Sequence, residues 1–175
     1  ESNEKTEETK TMSTIILDLD HTLIHSVKPD KDMIENHDFT ITLSGDNKYN
    51  LYKRPFLHEF IEFCFKYFEK VIIWSAGTED YVDMILANCH FDALKTKNFF
   101  RVITRNTYDL KRKNVEFIMS HSDLAESQVY FVDDITDRID KPETNDYNLT
   151  IIKAPAFHFY SYGEDTYLIE LMSEL

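Results

Sequence analysis

The sequence predicts an α/β fold: a parallel sheet with helices packed on both of its faces. Three observations carry that reading. Short β-branched runs alternate along the chain with segments of helical periodicity, the pattern of strand–helix–strand units. The chain has 175 residues, 42% apolar and 14% aromatic, which is one domain's length and enough to bury one core. Three of the apolar runs also end in acids or a hydroxyl, at the strand ends where open α/β sheets hold their ligands.

Residues 1–11 are polar, with four Glu against two Lys and no aromatic residue, and read as a flexible acidic tail. Residues 12–175 read as a single domain. The first strand, 13–19, ends in Asp18, Asp20 and Thr22. An insertion over 28–52 then interrupts the alternation. Within it, 39–43 reads as a strand, 44–47 as a turn and 49–52 as the strand's hairpin partner. Pro55 suits the first turn of a helix reaching Phe68, with Phe56, Phe60, Phe63 and Tyr67 as its core-facing stripe. A strand over 70–74 leads into Ser75-Ala76-Gly77. Thr78 is placed to cap the next helix, to Ala87, with Glu79 and Asp80 in its positive first turn. A strand over 99–103, a helix over 114–120 and a strand over 128–132 follow, the last ending in Asp133-Asp134. A strand over 149–152 and an amphipathic helix over 164–175 complete the chain.

Composition excludes several chemistries. Only three glycines occur, Gly45, Gly77 and Gly163, so neither a dinucleotide fingerprint nor a P-loop can be written. Cys64 and Cys89 form no metal-binding pair, and neither precedes an Arg by six positions, as a cysteine-nucleophile phosphatase requires. Both read as buried small hydrophobes. Low cysteine suits a reducing compartment, and the expected location is intracellular, nuclear or cytoplasmic. No apolar run reaches a membrane span, so a soluble protein with no membrane partner is expected. With 19 basic and 32 acidic residues the formal charge is −13, which disfavours duplex nucleic acid as a partner. From 95 to 113, however, seven basic residues face one acid, Asp109. Such a stretch could be a plain solvated surface or could steer an anionic ligand.

Four carboxylates brought to one sheet edge repel one another and call for a cation. Oxygen ligands without clustered His or Cys favour Mg²⁺. Asp18 and Asp20 lie two apart, so in a regular strand both would point to one face, one to attack and one to handle protons. His21 and His25 are four apart, but no helix carries them and no third ligand is evident, so zinc is not expected.

The string from Asp18 to Ser26, DLDHTLIHS, resembles the D-x-D-x-T signature of haloacid-dehalogenase-type (HAD) phosphatases, and more narrowly that of the RNA polymerase II CTD phosphatases, also called the NLI-interacting-factor or small-CTD-phosphatase family. Tyr52-Lys53-Arg54-Pro55, the strand ending in Ser75 and the Tyr130–Asp134 segment resemble three further motifs of that family, in the same order. The resemblance implies a HAD-like Rossmannoid sheet with a small β-hairpin insertion after the first strand. It implies a Mg²⁺-dependent protein serine/threonine phosphatase working through an aspartyl-phosphate. Asp18 would be the nucleophile and Asp20 the acid and base. Asp18, the Asp20 carbonyl, Asp133 and Asp134 would hold the metal. Ser75 and a lysine would bind the phosphoryl group, with Thr22 and Arg54 as further substrate contacts. The family's usual Tyr-x-Lys-Asp-Leu reads Tyr108-Asp109-Leu110-Lys111-Arg112-Lys113 here; Lys111 is the first choice for the phosphate lysine and Lys113 the second. Asp137 reads equally as an added acid or as a helix-start charge. His21 stands where the family has Glu or Gly and is assigned no role.

The resemblance further implies a monomer acting on a phosphoprotein, with the polymerase CTD as the expected substrate. An insertion of about 25 residues is too small a cap to enclose a metabolite, which by fold analogy suits a macromolecular end. Two other readings stand beside this one: a nucleic-acid 3′-phosphatase of the same superfamily, and a non-catalytic protein-binding module.

Overall fold

The strand Thr11–Leu17 (β1) lies at the centre of a five-stranded parallel sheet in this computed structural model. The structure describes residues 11–29, 36–92, 94, 99–107, 111–121, 128–143, 148–161 and 163–175. Residues 1–10 of the expected 1–11 tail, part of the insertion and parts of the basic stretch lie outside the described residues; Thr11 belongs to β1 rather than to a tail.

In chain order the elements are β1; β2 (Ile24–Val27); β3 (Phe39–Leu43); β4 (Asn47–Lys53); α1 (Leu57–Tyr67); β5 (Phe68–Trp74); α2 (Glu79–Ala87); β6 (Phe99–Ile103); β7 (Lys113–Asn114); α3 (Val115–His121); β8 (Gln128–Asp133); β9 (Ile139–Asp140); β10 (Leu149–Lys153); and α4 (Tyr167–Glu174). The main sheet runs β10-β8-β1-β5-β6, and Ile15 stands level with Val71 on one side and Tyr130 on the other. From β1 the chain adds β5 and β6 on one side, then crosses back to add β8 and β10 on the other. Connections leaving adjacent strands β1 and β8 thus diverge, which opens a crevice at their carboxyl ends.

Strand alternation sorts the core into two layers. Ile15, Leu17, Val71 and Ile73 face α1, α2 and α4 through Phe60, Cys64, Val82, Ile85 and Leu168. Ile16, Ile72, Trp74 and Phe131 face α3 through Val115, Ile118 and Met119. Helices therefore cover both faces, as the alternating pattern predicts, and both cysteines are buried.

The insertion contains the expected hairpin, β3 and β4, turning through Ser44–Asp46 with Gly45 at φ 74°. Just before it lies a strand the sequence reading missed, β2. β2 pairs antiparallel with the other edge of β4, making a three-stranded sheet β2-β4-β3. Its four residues IHSV carry too little pattern to register alone. The two-residue pair β7-β9 was equally invisible.

Three local expectations are corrected. β1 ends at Leu17, so Asp18 and Leu19 lie beyond the strand. The stripe Phe56, Phe60, Phe63 and Tyr67 is not the core face of α1: Phe60 is fully buried, but Phe56 and Tyr67 are 39% and 41% exposed. The buried face is Leu57, Phe60, Ile61, Cys64 and Phe65, roughly a quarter turn round the helix. Phe56 precedes the helix in a left-handed conformation, φ 68°, and so leaves the stripe. Thr78 makes no side-chain cap on α2; the Glu79 N–H is instead bonded to Asn106 Oδ1 at 2.9 Å. The cap comes from across the sheet edge, a partner no local pattern reveals.

The two aromatic faces should separate on denaturation. Phe60→Ala is expected to cost about 3–5 kcal/mol and Tyr67→Ala about 1 kcal/mol or less by urea unfolding.

Candidate active site

The first turn beyond β1 builds the site. The Asp18 N–H continues the sheet ladder to the Val132 carbonyl at 3.0 Å. The chain then folds back: the Leu19 carbonyl accepts the N–H groups of Thr22, Leu23 and Ile24 at 2.9–3.3 Å, and His21 takes φ 62°. This returns Thr22 over Asp18, and the Thr22 hydroxyl donates to Asp18 Oδ2 at 2.8 Å. The same hydroxyl accepts the Asp134 N–H at 3.1 Å, tying the ends of β1 and β8 together.

Asp133, the last residue of β8, stands beside Asp18. Lys113 Nζ donates to Asp18 Oδ1 and to Asp133 Oδ2, each at 2.7 Å, with all three side chains 10% exposed or less. The other Asp133 oxygen accepts the Ile135 N–H at 2.9 Å. Burial works most strongly against the Lys113 charge, yet Asp18 and Asp133 outweigh it and raise its pKa above the ordinary lysine value. Burial likewise holds both carboxyls above their usual range, against the pull of Lys113.

The lysine in this position is Lys113, not Lys111. Lys111 is exposed, whereas Lys113 opens β7 and is held inward by pairing with Ile139. The choice turned on a tertiary pairing of two residues, so spacing could not make it. The neighbouring Arg112 turns outward onto the Asp140 carboxylate, its Nη2 at 2.7 Å.

Asp18 and Asp20 are not a matched pair on one strand face, because the strand ends before either. Asp20 points to α2, where the Tyr81 hydroxyl donates to its Oδ1 at 2.6 Å. Burial raises the Asp20 pKa first; the Tyr81 bond lowers it and Asp18 raises it. Ser75 sits one residue past β5, its N–H on the Ile103 carbonyl at 2.9 Å. Its Oγ accepts the Gly77 N–H at 3.0 Å, so its own proton is left to donate. A cavity of about 450 Å³ opens beside Asp20, lined also by Ser26, Leu43, Tyr49, Tyr81 and Arg105.

Arg54 is placed differently from its expected substrate contact. It is 1% exposed and lies beneath the turn, with Nε on Asp165 Oδ1 and Nη1 on the Thr22 carbonyl, both at 3.0 Å. Its guanidinium lies 4.7 Å from the Tyr167 ring centroid. It braces the loop rather than facing the crevice. Asp137 lies on the exposed 3-10 turn Thr136–Arg138, outside the acid cluster. Of the basic stretch, Arg105 reaches the cavity wall and Lys113 the centre; 95–98 and 108–110 lie outside the described residues.

Among the described residues, two clusters have metal-ligand character. Oxygens of Asp18, Asp133 and Asp134 lie within 4.8 Å of one another. Three carboxylates against one ammonium leave two negative charges, and the donors are all oxygen, which fits one hard divalent cation. The second cluster is His21, His25 and His158, with ring centroids 4.7–5.4 Å apart. His158 is the third ring the sequence reading did not find, since it stands 133 positions beyond His25. His25 Nδ1 accepts the Phe159 N–H at 2.9 Å, so its proton is on Nε2 and no lone pair there is open. That tautomer disfavours a metal, and burial with the two neighbouring rings pushes the His25 pKa down to about 4.

Tyr81, Arg105, His158 and Asp165 are the site residues that sequence reasoning missed. Tyr81 follows Thr78 by three positions, so one helical turn returns it to the strand end, but core tyrosines show the same spacing.

The family model described as NLI interacting factor-like phosphatase matches residues 13–175. The chain is 35% identical over 79 residues to a putative CTD phosphatase-like protein 355R of Invertebrate iridescent virus 3, covering 42% of each chain. It is 35% identical over 98 residues to the phosphatase PSR1 of Saccharomyces cerevisiae, covering 54% of this chain and 22% of that one. Two solved structures of the RNA polymerase II CTD phosphatase Fcp1 resemble it, one of them from fission yeast and bound to beryllium fluoride. Their TM-scores are 0.60 and 0.61, at 19% and 18% identity, over 94% of this chain and 49% of theirs. The chain thus spans about half the length, or less, of these relatives. The structures show the same fold: a HAD-like parallel sheet with helices.

The acid cluster makes stability depend jointly on pH and cation. Because the Asp18 and Asp133 pKa values are raised on folding, the cation-free protein binds extra protons when folded, and these groups lose stability as pH rises above about 4. A cation binds the ionised form and acts oppositely. Mg²⁺ at a hundred times its Kd should stabilise by about 2.7 kcal/mol at pH 7, read as a rise in Tm over an EDTA control. The rise should shrink at pH 5 and vanish in Asp133→Asn; its persistence in that variant would place the cation elsewhere.

Proposed function

The chain belongs to the NLI interacting factor-like phosphatase family, and on that premise we propose that it is a Mg²⁺-dependent protein serine/threonine phosphatase acting through an aspartyl-phosphate on Asp18. One observation carries the reading: the Asp18 carboxylate is fixed at the crevice between Lys113 and Thr22, with Asp133 and Asp134 beside it and Asp20 set apart from them. A nucleophile and a proton donor need that separation of environments.

Asp18, Asp133, Asp134 and the Asp20 carbonyl would hold the cation. When bound, Mg²⁺ supplies the positive charge that lets a carboxylate approach a phosphate dianion. Lys113 keeps its proton and adds fixed positive charge where the transition state gathers negative charge. Ser75 offers its O–H to a phosphoryl oxygen. An Asp18 oxygen then bonds to phosphorus as the ester P–O bond breaks. The electron pair leaves with the seryl or threonyl oxygen, which takes a proton from Asp20. In the second half Asp20 takes a proton from water, whose oxygen bonds to phosphorus. The bond to Asp18 breaks, its electron pair returns to the carboxylate, and inorganic phosphate departs. Thr22 holds Asp18 in line through both steps, and Arg54 holds Thr22.

A protein substrate is supported by the family and by the cavity beside Asp20, whose walls are aromatic and aliphatic as well as charged. The names of the relatives point to the polymerase CTD, and we propose a phosphopeptide of that kind. No helix among the described residues is long and apolar enough to cross a membrane.

A panel of phosphoserine and phosphothreonine peptides, run with and without Mg²⁺ beside a 3′-phosphorylated oligonucleotide, tests the assignment. Turnover should require Mg²⁺ and fall at least about 10³-fold in Asp18→Asn, about 10²-fold or more in Lys113→Met, and less than about twofold in Lys111→Met. Selective turnover of the oligonucleotide would favour the nucleic-acid reading instead. Wild-type turnover in Asp18→Asn would remove the aspartyl-phosphate.

A further inference from the structure

We infer that Tyr81 is a positioning residue for the acid–base carboxyl, holding Asp20 through its phenol so that one chosen oxygen meets the leaving group. The inference rests on the reading of Asp20 given above and extends it to a residue on a different element.

The geometry is specific. The Tyr81 O–H donates to Asp20 Oδ1 at 2.6 Å, a short, well-formed hydrogen bond. Among the described residues, no other hydrogen bond reaches that carboxyl. The donor is itself held on several sides. Val82, Ile85 and Leu86 anchor α2 in the core. The Tyr49 ring meets Tyr81 edge-on at 5.8 Å. On the remaining side Gly77 makes room: a Cβ there would stand 2.6 Å from Tyr81 Cδ1. Glycine at 77 thus serves the close approach of this ring to the strand end.

The consequence follows from carboxyl chemistry. With Oδ1 accepting from a fixed phenol, Oδ2 is the oxygen left to carry the transferable proton, and rotation of the group is restrained. Asp20 lies within the turn after β1, so without Tyr81 nothing else among the described hydrogen bonds sets its rotamer. A serine or threonine alkoxide is a poor leaving group and needs that proton as the ester bond breaks. A nitrophenolate does not.

The experiment compares kcat/KM, which reports the step that expels the leaving group, for a phosphoserine peptide and for p-nitrophenyl phosphate. Tyr81→Phe keeps the ring and should keep the wild-type Tm. It is expected to lower kcat/KM for the peptide about 10- to 100-fold, against less than about threefold for the aryl ester. Asp20→Asn should show the same selectivity more strongly, and the Asp20→Asn/Tyr81→Phe double variant should lose no more on the peptide than Asp20→Asn alone. Equal losses on the two substrates in Tyr81→Phe, or losses that multiply in the double variant, would overturn the inference while a selective Asp20→Asn left the Asp20 assignment standing. An unselective Asp20→Asn would remove that assignment and the inference with it.

Discussion

The ammonium of Lys113 between Asp18 and Asp133 is the contact on which the rest of the structure depends. Two buried carboxylates at the ends of neighbouring strands repel one another strongly in a low-dielectric setting. A single ammonium bonded to both at 2.7 Å lets β1 and β8 end side by side with their carboxyl groups in one cluster. Taking one partner from such a group leaves buried charge uncompensated, typically at a cost of about 3–5 kcal/mol. The ammonium offsets only part of the charge, because Asp134 adds a third carboxylate to the cluster. The remaining oxygen donors suit the cluster to a hard divalent cation.

A second layer of contacts fixes where that charge lies. Arg54, buried under the turn after β1, bonds to the Thr22 carbonyl and to Asp165 near the start of α4. Thr22 in turn bonds to Asp18 and Asp134. The end of β1, the entry to α1, the segment before α4 and the end of β8 are thereby linked through two side chains. The family resemblance places Arg54 against substrate; in the structure it is buried under the turn and braces the loop that carries Asp18 and Thr22.

The insertion, with the strand β2 just before it, contributes walls to the cavity. β2, β3 and β4 form a small separate sheet, and Ser26, Leu43 and Tyr49 from it line the cavity beside Asp20. The wall opposite comes from the β5–α2 connection, where Gly77 lets Tyr81 approach. The Asp20 carboxyl and the cavity therefore share a boundary, and Tyr81 both lines that cavity and bonds to the carboxyl.

The sequence by itself determined the layered α/β class, the strands that build the sheet and the identity of Asp18, Asp20, Ser75, Asp133 and Asp134 as strand-end groups. These are local facts: apolar periodicity marks a strand, and the residues just after it must emerge at the sheet edge. The hairpin Phe39–Leu43 with Asn47–Lys53 was legible for the same reason. What only the tertiary structure decided were choices between residues a few positions apart. Lys113 rather than Lys111 enters the site because β7 pairs with β9, two residues each and without pattern of their own. α1 buries Leu57 and Ile61 rather than Phe56 and Tyr67 because the sheet beneath it sets the helix's rotation. Asn106 rather than Thr78 caps α2, and Tyr81 rather than Asp18 stands beside the Asp20 carboxyl. Each of these depends on partners distant in the chain, and a side chain's direction is settled by the partner it meets in space.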